Sequence, residues 1–474
     1  MDTKYTLIGE QNYKLPVLGR QLLVCLSACV YSFMLGLSFG SPTVAVAQLR
    51  ARANSTAAVS REMGSWIASA TGFVAIPTVV ISVIVVHHFG RKKVFNYATV
   101  VSFVSFTIFY CSKNATHILV SRLFCGVLAG LLMSMVLMVM TESMTPRYRG
   151  LFFAFKSASV NWGIWCSNTI GTFCPYNYIG IVGISCSIIN FLITFVMPET
   201  PFWLASRGRY EECAAAHRWL KGADEDAEKE LKAIIESSQK DAKESTQTRK
   251  SLLTTVKEYW TIIVYQPSFY KPVSIGFIIQ IMHVASGKMV LTMYAIEILG
   301  KVTKNKTTAH YFMLILDGFS VLGMYMGCFL AKRLKRRTMF LCSSTLSAIL
   351  MFAVSFYLYL IKFKILSENN IIFLSILVLY SLVTCCGPIL LFSVICSELF
   401  PLKGRSFGVI LSGVNNSALF ALSVKFTPYL LWAIDTENTF LFYAIFSITC
   451  IFLAYKYLPE TKDKTLNEIA ALFQ

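Results

Sequence analysis

The apolar residues of this chain fall into twelve stretches of roughly 18 to 28 residues, each long enough to cross a hydrocarbon layer of about 30 Å as a helix. A core surrounded by water does not need segments of that length. Hydrophobic residues make up 55% of the 474 and charged residues only 14%, and most of the charges sit between the stretches. Lipid leaves a backbone no solvent partner, so a spanning segment must satisfy its N–H and C=O groups internally, which favours helices. A membrane β-barrel alternates apolar and polar residues over short segments, a pattern absent here. The expected fold is an all-α polytopic membrane protein with spans near residues 21–41, 65–87, 94–112, 119–141, 152–173 and 179–197. A second set is expected near 272–298, 310–331, 339–361, 371–396, 406–432 and 439–458.

The formal charge of +18 sits mostly in short connections such as Arg91-Lys92-Lys93 and Lys332-Arg333-Leu334-Lys335-Arg336-Arg337. No aromatic-basic groove accompanies them, so nucleic acid is excluded as a partner and the cations are read as topology signals facing an anionic leaflet. They follow even-numbered spans. The tripeptides Asn54-Ser55-Thr56, Asn114-Ala115-Thr116 and Asn305-Lys306-Thr307 follow odd-numbered ones. Asn54, Asn114 and Asn305 are therefore expected as glycan acceptors on the outer side, with both termini cytoplasmic.

The chain divides into a tail (1–20), a six-helix bundle (21–197), a linker (198–271), a second six-helix bundle (272–458) and a C-terminal tail (459–474). The polar start carries Lys4, Lys14 and Arg20 and lacks a small-residue cleavage site, so the first span reads as a retained helix. The linker run from Asp224 to Lys250 is rich in Glu, Lys, Ser and Ala, and short amphipathic helices with a mobile stretch are expected there. The fourteen cysteines are scattered without metal-site spacing. Most read as small core residues, and Cys111 with Cys174 is the pair whose positions would allow a bridge. Tandem His87-His88 at a helix end reads as solvated, with no metal.

The two halves repeat a pattern. The fourth span ends Glu142-Ser143-Met144-Thr145-Pro146-Arg147-Tyr148-Arg149-Gly150, and the tenth ends Glu398-Leu399-Phe400-Pro401-Leu402-Lys403-Gly404-Arg405. A carboxylate at a helix C-terminus opposes the macrodipole and needs a cationic partner. The basic loops at Arg91 and Arg336 supply one per half.

With Pro198-Glu199-Thr200-Pro201 and Gly208-Arg209 after the sixth span, Pro459-Glu460-Thr461 after the twelfth, and Arg122, Gly126 and Gly130 in the fourth, the chain resembles the sugar porter family of the major facilitator superfamily. Asn161 and Lys425 are most similar to the insect trehalose and related sugar facilitators. The resemblance implies twelve transmembrane helices in two six-helix bundles that rock about a central site, without enzyme activity or cofactor. It implies cytoplasmic gate salt bridges joining Glu142 to Arg91 and Arg149, and Glu398 to Arg336 and Arg405. The bland alternative is that these charges only end helices and set topology. It also implies substrate contacts from Asn161, His283, Met289, Tyr294, Ser320 and Asn415.

Several positions depart from the family. His87 and Lys332 stand where an acid is usual, and Lys335 replaces a glycine. In the seventh span only Ser286 and Gly287 survive of a run that normally carries three amides. In the tenth, Leu390-Leu391 replaces Pro-Trp. Lys288 and Asp317 lie deep in neighbouring spans, where an unpaired ion costs about 2.5 to 3.5 kcal/mol, so a mutual ion pair is expected; lysine snorkelling toward the interface is the alternative. The first span has no acid, which favours uniport over proton coupling. Three functions stay open: a facilitative carrier of a sugar such as trehalose or of a polyol, a carrier of a charged metabolite, and a transport-inactive sensor keeping the fold. The expected setting is the plasma membrane, the protein acting as a monomer among lipids.

Overall fold

The computed structural model describes residues 16–53, 59–247, 267–399, 405–462 and Phe473, with residues 133, 134, 137, 146–150, 241–247, 267–269, 397, 405–407 and 409 described by backbone alone. Among the described residues all regular structure is helical. The first half comprises α1 (Val17–Arg52), α2 (Arg61–Phe89), α3 (Arg91–Tyr110), α4 (Ala115–Ser143), α5 (Pro146–Phe173) and α6 (Tyr178–Val196). The linker holds α7 (Pro201–Ser206), α8 (Tyr210–Lys221) and α9 (Glu225–Gln247). The second half contains α10 (Pro267–Ala285), α11 (Lys288–Met293), α12 (Ala295–Thr303), α13 (Lys306–Arg333), α14 (Arg336–Lys362), α15 (Asn370–Cys386), α16 (Pro388–Leu399), α17 (Arg405–Ala433) and α18 (Asp435–Tyr457). Among the described residues nine segments are long and apolar enough to cross a membrane, and α3, α5 and α17 complete the twelve-span arrangement.

Three expectations about spans are corrected. The first span reaches Arg52, because Pro42 sits inside the helix and does not end it. The seventh is not one helix but three, α10, α11 and α12, broken at Ser286-Gly287 and at Tyr294. Gly287 takes φ +70°, a left-handed value that glycine adopts without penalty. Buried backbone at such a break needs partners. Ser286 Oγ donates to His283 O at 2.6 Å, Ser447 Oγ donates to Ala285 O at 2.8 Å, and the Tyr380 hydroxyl donates to Ser286 O. The tenth span is likewise two helices, α15 and α16, meeting at Gly387.

Packing repeats between the halves. In the first, α1 packs on α5, α2 on α4, and α3 on α6 and α4. In the second, α10 packs on α17, α13 on α15, and α14 on α18 and α15, which is the same pairing by span order. The two halves meet where α2 packs on α17 and α5 on α13. Small residues set these distances. A Cβ on Gly126 or Gly130 would lie 2.6 Å from Val74 or Thr78, so the two glycines let α4 lie directly on α2. Arg122, one turn before Gly126 and 1% exposed, ties that pair to α1 by donating to Ile67 O and Ser38 O.

The linker helices dock under the first half. Gln21 Nε2 donates to Leu220 O at 3.0 Å, and Arg20 lies over the Trp219 ring at 5.9 Å. Helix α9 places Ala227, Leu231 and Ile234 on one face against Trp203, Cys213 and Ala214, an i, i+4, i+7 stripe. Arg218 pairs with Glu228 at 2.7 Å and Lys221 with Glu230 at 2.6 Å. Residues 1–15, 248–266, 463–472 and 474, which take in most of both expected tails and the expected mobile stretch, lie outside the described residues.

Candidate functional site

Three regions carry polar groups that the fold positions with care: the end bearing the basic loops, the centre between the halves, and the opposite end.

At the basic end each half closes on itself. Arg91 Nη2 donates to Glu142 Oε1 at 3.0 Å, joining α3 to α4. Arg336 forms the corresponding ion pair with Glu398, joining α14 to α16. The side chains of Arg149 and Arg405, the other expected partners, lie outside the described residues. Two more acids complete the pattern. Glu199 accepts from the backbone N–H groups of Arg91 at 2.9 Å and Lys92 at 3.1 Å, at the N-terminus of α3. Glu460 accepts from Arg336 N at 3.0 Å and Arg337 N at 3.2 Å, at the N-terminus of α14. A carboxylate there satisfies orphan N–H groups and meets the positive end of the helix dipole. The Pro-Glu-Thr sequences were legible as marks of resemblance, but their role as helix caps was not read from them.

The departures at this end acquire a physical explanation. Gly90 takes φ +89° before α3, whereas Lys335 before α14 takes φ −68°, so the second position has no need of glycine. His87 and Lys332 contribute through their carbonyls: His87 O accepts from Trp203 Nε1 at 2.9 Å, and Lys332 O accepts from Lys462 Nζ at 2.9 Å.

At the centre, Asn415 Nδ2 donates to Gln280 Oε1 at 2.6 Å, and Gln280 Nε2 donates to Ser412 Oγ. This links the broken seventh span to α17. Gln280 is 2% exposed; it lies one turn before the altered run beginning at His283, and no motif in the sequence marks it. His283 is buried, its ring stacked on Phe392 at 3.9 Å, with no hydrogen-bond partner on either nitrogen. The Tyr294 hydroxyl donates to Val424 O at 2.9 Å. Ser320 belongs to a second cluster, described next. Asn161 is buried and Met289 half-buried, and neither is joined by a hydrogen bond to Gln280 or to Ser320. Of the sequence-derived set, the structure thus ties Asn415 to Gln280 and Ser320 to Lys288, and joins none of the others to these by a hydrogen bond among the described residues.

The expected ion pair between Lys288 and Asp317 is not formed. Lys288 Nζ donates to Ser320 Oγ at 2.7 Å and Ser381 Oγ at 2.6 Å. Asp317 Oδ2 accepts from Asn168 Nδ2 at 2.6 Å. The two charges are each 5% exposed and lie more than 4.0 Å apart. Hydroxyls and an amide already satisfy them, which removes the need for direct contact that burial alone suggested. Asn168 belongs to α5 and Asp317 to α13, so this bond crosses between the halves.

At the opposite end the crossing contacts continue. Thr43 Oγ1 donates to Met293 O at 2.8 Å, and Ser65 Oγ donates to Lys425 O at 2.9 Å. Asn114 precedes α4, Asn305 caps α13 by accepting from Thr307 N, and both are exposed at this end; Asn54 lies outside the described residues. Cys111 and Cys174, also here, are both free thiols, so the bridge considered from sequence is not made. A cleft of about 420 Å³ opens beside Lys301, Lys362, Glu368 and Glu437, but it lies at the rim of the second half, away from the seam. Among the described residues there is no cluster of His, Cys, Asp and Glu able to hold a metal.

A helical membrane bundle of two repeated halves, with buried polar groups at their seam, defines a multi-pass carrier-type protein. Residues 24–473 match the family model described as "Sugar (and other) transporter", and the chain belongs to that family. It is a transporter-family protein and not an enzyme. It is 24% identical to a facilitated trehalose transporter of Apis mellifera ligustica, over 96% of this chain and 88% of that one. With the corresponding protein of Drosophila erecta it shares 23% identity over 95% of its own length but spans about half of that relative, 51%. Among solved structures, the proton:xylose symporter XylE bound to 6-bromo-6-deoxy-D-glucose superposes with a TM-score of 0.76 at 17% identity, covering 96% of this chain and 99% of that one. The inward open conformation of XylE from E. coli gives 0.74 over 96% and 100%. Those likenesses establish the major facilitator fold.

Proposed function

We propose that this protein carries a sugar, a mono- or disaccharide such as trehalose, or a polyol of similar size, down its gradient by alternating access. The observation that carries the reading is the Asn415–Gln280–Ser412 chain, centred on the buried Gln280 of the broken seventh span and reaching two half-buried groups of α17. It offers amide and hydroxyl groups that can exchange internal hydrogen bonds for those of a polyhydroxylated ligand. Helix breaks at the centre of membrane bundles commonly accompany such sites. His283, Tyr294, Asn161, Met289 and Ser320 are proposed as surrounding contacts. The basic end faces the cytoplasm with both termini, and Glu142–Arg91 and Glu398–Arg336 act as gate contacts there. Asn114 and Asn305, with Asn54, accept glycans outside, and the protein works as a monomer in the plasma membrane.

The test is radiotracer uptake in oocytes across hexoses, trehalose, polyols and organic anions. Saturable uptake of a sugar, unaffected by collapsing the proton gradient and reduced at least tenfold by Gln280→Ala with Asn415→Ala, is the expected result. Uptake of anions alone would favour a charged metabolite held near Lys288. No uptake of any probe by surface-expressed protein would favour a sensor.

A further inference from the structure

At the end opposite the basic loops, α2 and α17 set two cations against two tryptophans in reciprocal order. Lys425 of α17 holds Nζ 3.7 Å from the centre of the Trp66 ring of α2. Arg61 of α2 holds its guanidinium carbon 5.2 Å from the centre of the Trp432 ring of α17. Between these contacts Ser65 Oγ donates to the carbonyl of Lys425 at 2.9 Å. The residues run 61, 65, 66 on one helix against 432, 425 on the other, as an antiparallel seam requires. One turn deeper, Gly72 lies against Ala421 and Phe420.

Among the described residues the Lys425 ammonium nitrogen is occluded and has no hydrogen-bond acceptor, although Lys425 as a whole is only half-buried, and the Glu62 carboxylate, whose charge reaches it, lies beyond 4.0 Å. A desolvated ammonium in that position needs something in place of water, and the face of an indole is the aromatic surface best suited to supply it. Trp66 is itself 40% exposed, so a small separation of α2 from α17 would return the ammonium to water. The contact is therefore specific to the closed arrangement of this mouth and easily exchanged when the arrangement changes.

We propose that Lys425 and Trp66 are positioning residues of the transport cycle: their contact, backed by Arg61 on Trp432 and by Ser65, latches this mouth shut and must part each time it opens. The inference rests on the alternating-access reading above. It adds the residues that set the balance between the two states on this side. Neither residue touches the Gln280–Asn415 chain, so their effect on a ligand is indirect, through the population of the closed state.

The test uses purified full-length protein in nanodiscs without substrate. Spin labels are placed on Cys111 and on Ile365→Cys, both exposed at this end, with the exposed Cys174 and Cys342 replaced by serine. Distances between the labels report the separation of the halves. Trp66→Leu is expected to raise the ratio of open to closed populations about tenfold, because it strands an occluded ammonium. In a Lys425→Met background, where no charge is stranded, the same change should shift the ratio less than about twofold. Trp66→Tyr, which keeps a π face, should stay within about threefold of the parent. Should Trp66→Leu fail to fold, Trp66→Phe is read in the same two backgrounds, with a shift of about threefold expected only where Lys425 is present. Equal shifts in both backgrounds, or none in either, would overturn the latch. A protein that transports no sugar yet shows the expected pattern would overturn the proposed function and leave the latch standing.

Discussion

The two ends of the bundle use charge in opposite ways. At the basic end, Arg91–Glu142 with Glu199 and Arg336–Glu398 with Glu460 tie each half to itself. At the other end, Thr43, Ser65, Lys425 and Arg61 make contacts that run from one half to the other. Asn168–Asp317 does the same deeper in the bundle. Contacts within a half keep it a rigid unit through any rocking motion, whereas crossing contacts must break when their end opens. The arrangement described here is accordingly one in which the mouth away from the basic loops is held closed.

The largest effect expected from breaking this comparison lies at the buried charges. Asp317→Leu deprives Asn168 of its acceptor and leaves the Lys288 ammonium without the carboxylate whose field it feels. Lys288→Leu leaves the converse. Each should cost about 3 kcal/mol in thermal unfolding, and the double substitution should cost about 1 kcal/mol less than the sum. Full additivity would show that the two ions, each satisfied by its own hydroxyls or amide, do not depend on each other.

Next come the helix caps. Glu199→Gln and Glu460→Gln remove a carboxylate from the N-termini of α3 and α14, and each should lower stability by about 1 to 2 kcal/mol. They act in separate halves, so their losses should add. A strong coupling between them in a double-mutant cycle would contradict the picture of two self-contained units.

Much of this molecule was legible beforehand, for identifiable reasons. Span number follows from the length of apolar runs, because lipid thickness leaves little choice. The repeat of Glu142 and Glu398 was visible because both sit in short motifs next to the membrane surface. The breaks at Gly287 and Gly387 were not, since an apolar run reads the same whether its helix is continuous or interrupted. Nor was the partner of Lys288: residue counting gives depth but neither the rotation that separates Ser320 from Asp317 on α13 nor the packing that brings in Ser381 of α15. Asn168, the acceptor's true partner, offered only an amide inside an otherwise ordinary stretch.

Smaller still is the expected effect of Ser65→Ala, which removes one crossing hydrogen bond and should shift the closed state by about 1 kcal/mol relative to the open one, with a loss of unfolding stability no larger than that. Reporter accessibility at this end, compared with a melting curve, separates those two effects. The smallest prediction concerns the linker. Burial, with Lys221 adding to it, holds the His217 imidazole below the ordinary histidine range. A group depressed in the docked state binds protons more readily when undocked. Docking of α8 and α9 should therefore weaken as pH falls below about 6.5 and stay level above it. Hydrogen exchange of α8 between pH 7.5 and 5.5 checks the direction, and His217→Phe should flatten it.

If the protein works by the proposed alternating access, the crossing contacts at the mouth away from the basic loops part in each cycle, while the contacts within each half stay made. A disulfide between Thr43→Cys and Met293→Cys, two positions already joined by a hydrogen bond across the halves, tests this in the full-length protein during tracer sugar uptake. Oxidation is expected to reduce uptake to background and a reductant to restore it, while the same oxidant leaves the parent protein unaffected. Undiminished uptake by fully cross-linked protein would contradict this.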